Sequence, residues 1–266
     1  MILIYTHKIT PRIKYIFKHI FTLRLGVEIE FSSDVIYFKE YNSYKMSYGT
    51  SQIQDEFYIN SSDILLSHKI EDLDIDVDNW DGLPIFFSNK ENPFFNFDLF
   101  GASFYLISRY EEYLLHLKDD FGRFDPSSSL AYKNRFLNKP IIDFWIKRFK
   151  EKLLDFYPDL KFRKDTFKLS TCLEVPCAFD FKGKGLIRTL GGFLRDVLRL
   201  DIYRIYRRIP VLLNLKKDPL DDYLNWIKLN KSNGIETIVF FLFANFSRYD
   251  RNLSVYSKVF IEKIKD

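Results

Sequence analysis

The run TIVFFLF at Thr237–Phe243 constrains this chain more than any other stretch. It is too short to cross a bilayer as a helix and too apolar for a surface loop, and its β-branched and aromatic residues favour a buried strand. A second apolar stretch, Phe167–Ala178, lies upstream and reads as another buried strand. Between them, Leu186–Leu215 is basic and mostly helical in pattern, and Asp221–Asn230 reads as a further helix. Strand, helical connection and strand predict a parallel βαβ crossover, since parallel neighbours need a long connection that a two-residue hairpin cannot supply.

The first half mixes the same elements. Ile2–Tyr5 reads as a buried strand, Thr10 as an N-cap and Pro11 as the first helical residue. Ile13, Ile16, Phe17 and Ile20 then fall at helical spacing, and the helix closes near Gly26. Val27–Phe31, Val35–Tyr41 and Glu56–Ile59 are strand candidates. Phe97–His116 predicts a helix on which Phe100, Phe104, Ile107, Glu111 and Leu114 step at three and four. Pro140–Phe156 predicts another, with Pro158 as its break. The expectation is an α/β chain with a mixed N-terminal domain over residues 1–160 and a second over 161–266, the boundary lying near Leu160.

Composition excludes several classes. With 28 Phe and 17 Tyr, and 47% hydrophobic against 29% charged residues, the chain is ordered and globular. A net charge of +4 is small for 266 residues and gives no general attraction to nucleic acid. The N-terminus meets Lys8, Pro11, Arg12 and Lys14 too early for a signal peptide, and no window approaches the length of a transmembrane helix. The expected compartment is the cytoplasm. Cys172 and Cys177 lie five apart in an apolar run, beyond disulfide reach in an extended chain, and read as buried thiols.

Catalytic chemistry is hard to find. A catalytic zinc takes three protein ligands, histidine being the commonest, yet no histidine follows His116, and His7, His19, His68 and His116 are scattered. Asp74, Asp76 and Asp78 invite a calcium loop, but its sixth and twelfth positions hold Asn79 and Ile85. With Ile75 and Val77 between them, the aspartates fit an edge strand with an acidic outer face. Lys182–Lys217 carries ten Lys and Arg against Asp196 and Asp201. It reads as a solvated helical face, with weak contact to an anionic membrane surface as the alternative, dependent on Arg204, Arg207 and Arg208. No nucleic-acid-binding module accompanies it. Gly191-Gly192 lacks the residues of a phosphate loop. On the Phe97–His116 helix, Arg109 and Glu111 form a polar group that either binds a sugar or phosphate or ties helix to loop. Trp80 is the aromatic candidate for the same cleft.

Four ordered stretches, ILIYTHKITPRIKYIFKHIF from Ile2, FDLFGASFYLISRYEEYL from Phe97, FGRFDPSSSLAYKNRFLNKPIIDFW from Phe121 and IRTLGGFLRD from Ile187, resemble polysaccharide deacetylase-like proteins of Bacteroidetes-type bacteria. The resemblance implies an N-terminal α/β domain of unknown function followed by the opening β-α-β portion of an incomplete, distorted (β/α) barrel. It also implies a family activity, metal-dependent removal of acetyl groups from envelope glycans. Relatives carry Asp-Val-Asp on the first barrel strand, one aspartate as general base and the other as metal ligand. Here the matching positions are Glu174, Val175 and Pro176, so Glu174 is a remnant of the base and proline cannot ligate a metal. Ala244 and Asn245, after the second strand, cannot restore a zinc site. The family's histidine pair, on a later strand, has no counterpart before Asp266.

The resemblance therefore implies a truncated, active-site-degenerate member that binds no cofactor, where intact relatives use a divalent metal such as zinc. A barrel fragment encoded downstream is one implied partner. The other reading is a noncatalytic protein that binds an envelope glycan, a lipid-linked sugar or a biosynthetic partner through Arg109, Glu111 and Trp80, in the cytoplasm and peripheral to the inner membrane.

Overall fold

Ile2, Leu3 and Ile4 are fully buried because β1 (Ile2–Tyr5) has a parallel neighbour on each side. Ile29–Ser32 (β2) pairs with one edge and Lys45–Gly49 (β3) with the other, and Phe57–Asn60 (β4) extends the sheet beyond β3, giving the order β2-β1-β3-β4. The computed structural model describes residues 1–92, 94–164, 166–244 and 252–265. These fall into two compact units, Met1–Lys164 and Asp165–Asp266. The chain is a mixed α/β protein.

In the first unit, Thr10 caps α1 (Pro11–Phe17), its Oγ1 accepting from Ile13 N, and the helix continues as wider π turns over Lys18–Leu25. Gly26 ends it at φ 69°, where a Cβ would overlap Arg163. Val35–Glu40 is a helix (α2), in place of the expected strand at Val35–Tyr41. Asp34 Oδ1 accepts from Ile36 N and Tyr37 N, and this cap overrides the β-propensity of VIYF, burying only Phe38. The acidic alternation forms no long edge strand. Ile75 and Val77 do rest on the core, but only Asp78–Trp80 (β5) pairs, as a hairpin with Leu83–Ile85 (β6) across Asp81 and Gly82, both at positive φ.

Leu99–Ile107 (α3) is shorter than the Phe97–His116 helix predicted, because Arg109 turns left-handed (φ 53°, ψ 45°) and starts the short turn Tyr110–Tyr113. A one-turn helix, Leu130–Lys133 (α4), and the long Ile141–Phe156 (α5) complete the unit. Aromatic rings fill the space between sheet and helices. Phe17 stacks on Phe100 at 3.8 Å, Phe149 meets Phe21, Phe57 and Phe100 edge-on, and buried Trp145 donates to Pro84 O at 3.0 Å.

The second unit contains the expected crossover. Ser170–Val175 (β7) and Glu236–Phe241 (β8) are parallel, in register from Ser170 opposite Glu236 to Val175 opposite Phe241. Between them run α6 (Gly185–Leu198), α7 (Ile202–Leu212) and α8 (Tyr223–Ser232), and α9 (Lys258–Lys265) follows. Neither strand is buried through and through. Val175, Leu173, Val239 and Phe241 pack with Phe179, Leu253 and Phe260, whereas Phe240 on the other face is 55% exposed. Among the described residues β7 and β8 pair only with each other, so the outer edge of each strand has no strand partner there. The same alternation exposes Cys172 and leaves Cys177 half-buried, correcting the reading of both as buried thiols.

The solvated basic face predicted for 182–217 is turned round. Arg208 and Asp196 are buried, and the outward side of α6 and α7 carries leucine, isoleucine and tyrosine. No helix among the described residues is long and apolar enough to cross a membrane.

Candidate functional site

Open parallel sheets usually bind ligands beyond the carboxyl ends of the strands, where the order reverses, which here is between β1 and β3. In this protein the chain itself covers that place. Thr10 Oγ1 donates to Leu65 O at 2.6 Å, Arg12 Nη1 to Ile64 O at 2.7 Å and Lys8 Nζ to Leu66 O at 2.9 Å. Asp98 closes it further by accepting from Tyr48 Oη and Ser62 N, both at 2.8 Å, and from Gly101 N at the start of α3. Burial raises the Asp98 carboxyl above the usual range while these donors pull it back.

The open space lies instead past the other end of α3. The left-handed turn at Arg109 projects three charged residues towards the segment before α5. Glu111 Oε1 accepts from Leu130 N at 2.6 Å, at the first residue of α4, and Arg109 Nε pairs with Glu112. Together with Tyr105, Phe124 and Phe136 they line a cavity of about 430 Å³. Two adjoining depressions share Phe124 with it, one reaching His116 and Asn134 and the other Asp119 and Arg123. Burial raises the Glu111 carboxyl, against the pull of Leu130 N–H and Lys133. Burial also pushes the Tyr105 hydroxyl up, helped by Glu111.

Arg109 and Glu111 thus share one cavity, and the helix-to-loop tie expected of Arg109 is made by Glu111. The Arg109 side chain is 73% exposed and, among the described residues, pairs within its own turn, which leaves most of its donors facing solvent. Trp80 is not brought to them. Its ring packs edge-on to Phe95 at 4.9 Å and against Phe97 at 5.9 Å, and it lies outside the cavity lining. Phe124 and Phe136 take the aromatic role. They share the stretch FGRFDPSSSLAYKNRF with Phe121, Leu130 and Tyr132, and no spacing in it marks them out.

Glu174 lies in the second unit, exposed on β7 opposite Phe240. Val175 beside it is buried in the core, and Pro176 offers no donor atom in its side chain. The carboxylate of Asp180 is engaged by Arg204 Nη2 at 2.8 Å. This donor set does not fit a divalent metal at the matched positions, and no group of three His, Cys, Asp or Glu among the described residues gathers as a metal site. Asn245, which follows the second strand, lies outside the described residues.

Residues 2–158 match the family of unknown function DUF7033, and the chain belongs to that family. No curated protein and no solved structure matches the chain.

Proposed function

We propose that this chain is a noncatalytic binding protein for an envelope glycan or a lipid-linked sugar, held in the cavity beneath Arg109 and Glu111. The observation that carries the reading is the cavity's make-up, in which the aromatic rings of Phe124 and Phe136 share one lining with the cations Arg109 and Lys139 and the carboxylates Glu111, Glu112 and Asp143. A sugar ring has C–H faces that rest on aromatic rings and hydroxyl edges that suit carboxylate and guanidinium partners. The volume of about 430 Å³ falls at the lower end of small-ligand sites, roughly 300–1,000 Å³. The location that accompanies this reading is the cytoplasmic side of the inner membrane, supported by the exposed free thiol of Cys172, which suits a reducing compartment.

Titration with N-acetylated oligosaccharide fragments tests it. Binding is expected to survive chelator and to weaken by about tenfold or more in Arg109→Ala, the loss typical of a hydrogen bond to a charged group. Equal affinity in the variant and the natural chain would sink the assignment.

A second reading, descent from metal-dependent glycan deacetylases, draws on the parallel β7–β8 pair with its helical crossover and on Glu174 near the carboxyl end of β7. The poor donor set at Val175 and Pro176 leads us to expect no acetate release in the same titration supplied with Zn²⁺. Chelator-sensitive release abolished by Glu174→Ala would replace the binding reading with catalysis.

A further inference from the structure

The helices α6 and α7 are amphipathic the wrong way round for a free-standing soluble unit. On α6, Leu186, Leu190, Leu194 and Leu198 recur every fourth residue and are between 59% and 83% exposed, while the sole buried residue of the helix is Asp196. On α7, Ile202, Tyr206 and Ile209 are exposed, and Arg208 and Val211 are buried.

The inward side explains how this arrangement is held. Arg208 Nη2 bonds Asp196 Oδ2, and Gly192 leaves room for that guanidinium, whose Nη1 would lie 3.0 Å from a Cβ there. Arg204 bonds Asp180 Oδ1 at 2.8 Å, and the Phe181 ring packs against both guanidinium groups at 4.9 and 5.2 Å. The polar network fixes the hairpin with its apolar side outward. A contiguous exposed apolar face of this kind marks a contact surface.

We propose that this hairpin is an interfacial anchor, which lays its outward leucines and tyrosines into the headgroup boundary of an anionic phospholipid bilayer. Charge complementarity selects that occupant. Both acidic residues of 182–217 are engaged within the unit, Asp196 by arginine and Asp201 by Arg204 N, whereas Arg199 and Lys216 are exposed beside the apolar face. Lys216 lies over the Tyr206 ring and Arg207 over Tyr203, pairing cations with aromatics of the kind that settle at a membrane interface. A second copy docked symmetrically would bring another surface of the same sign and supply no counter-charge to these cations. The helices have 14 and 11 residues, or about 21 and 16 Å, too short to span and long enough to lie in the plane. The anchor extends the peripheral location proposed above by adding insertion to surface attraction, and it is independent of the glycan cavity.

Flotation of the full chain with vesicles of phosphatidylglycerol and phosphatidylethanolamine, against vesicles of phosphatidylcholine, tests the proposal. The chain is expected to float with the anionic vesicles. Leu190→Gln/Leu194→Gln should weaken binding by about tenfold or more per leucine. Arg199→Glu/Lys216→Glu should weaken it by at least roughly fivefold per cation removed. All four positions are solvent-exposed, so circular dichroism is expected to show unchanged helix content. Three results would overturn the anchor. Flotation abolished by salt and unmoved by the leucine changes would leave headgroup attraction alone, keeping the peripheral location without insertion. A dimer in lipid-free gel filtration, dispersed by the leucine changes and without flotation, would assign the face to a second copy. A monomer that does not float would remove both the anchor and the location.

Discussion

Replacing Asp98 with alanine is expected to lower the stability of the first unit by about 3–5 kcal/mol. The residue is 1% exposed and sits where three parts of the unit meet: β3 through Tyr48 Oη, the segment after β4 through Ser62, and the start of α3 through Gly101 N. Alanine removes the acceptor and leaves these donors buried, which is the costly direction of the change, because each unpaired donor keeps its desolvation penalty. Asp98→Asn, which retains one acceptor oxygen, should lose less. Hydrogen exchange across β3 and α3 under increasing urea reads the effect locally, and a loss below about 1 kcal/mol would show that Asp98 does not join these three parts.

The same carboxyl gives a pH signature. Its folded-state pKa is raised, by burial first, so its contribution is fully present below the unfolded value of about 3.9 and is lost as pH rises through the folded one. The stability of the natural chain relative to Asp98→Asn is therefore expected to fall as pH rises out of that range. A difference that is flat or rises with pH would contradict the raised pKa.

What could be read from the sequence is what neighbouring residues decide. Thr10 and Pro11 start α1 as expected because a cap and a fixed φ act within one turn. Asp34 caps by the same rule, yet VIYF pointed to a strand, since propensity and cap disagree there and no local rule ranks them. The parallel crossover was legible from order and length alone. Which side of each element faces inward was not. TIVFFLF is apolar throughout and read as a buried strand, yet burial in β8 alternates, and the inward side of α6 is the charged one, because both depend on partners distant in the chain. The cavity was half legible for the same reason. Arg109 and Glu111 are neighbours in sequence, whereas Phe124 and Phe136 reach them only because Arg109 adopts a left-handed turn that its identity does not foretell.

In the second unit, Asp196→Ala is expected to cost about 3–5 kcal/mol, the usual consequence of removing one member of a buried ion pair. Arg208, itself 3% exposed, would keep its charge with no carboxylate beside it, while Arg204 would retain Asp180. Because the loss comes from stranding a charge more than from forfeiting a bond, Asp196→Leu/Arg208→Met should recover at least half of it. A double variant as unstable as the single would mean that the pair itself, and not the stranded arginine, holds α6 to α7. The pH dependence runs opposite to that of Asp98. Burial pushes the Asp196 carboxyl up, but the bond to Arg208 and the charges of Arg208, Arg204 and Arg195 outweigh it and hold it below the ordinary range. Its contribution is thus present above the unfolded value of about 3.9 and lost as pH falls through the lower folded one. Acid should then release α6 and α7, seen as faster amide exchange over both helices, and Asp196→Ala should show that fast exchange already at neutral pH. The outward leucines depend on this network for their orientation, so the same variant is expected to reduce flotation with anionic vesicles although it touches no residue on the apolar face.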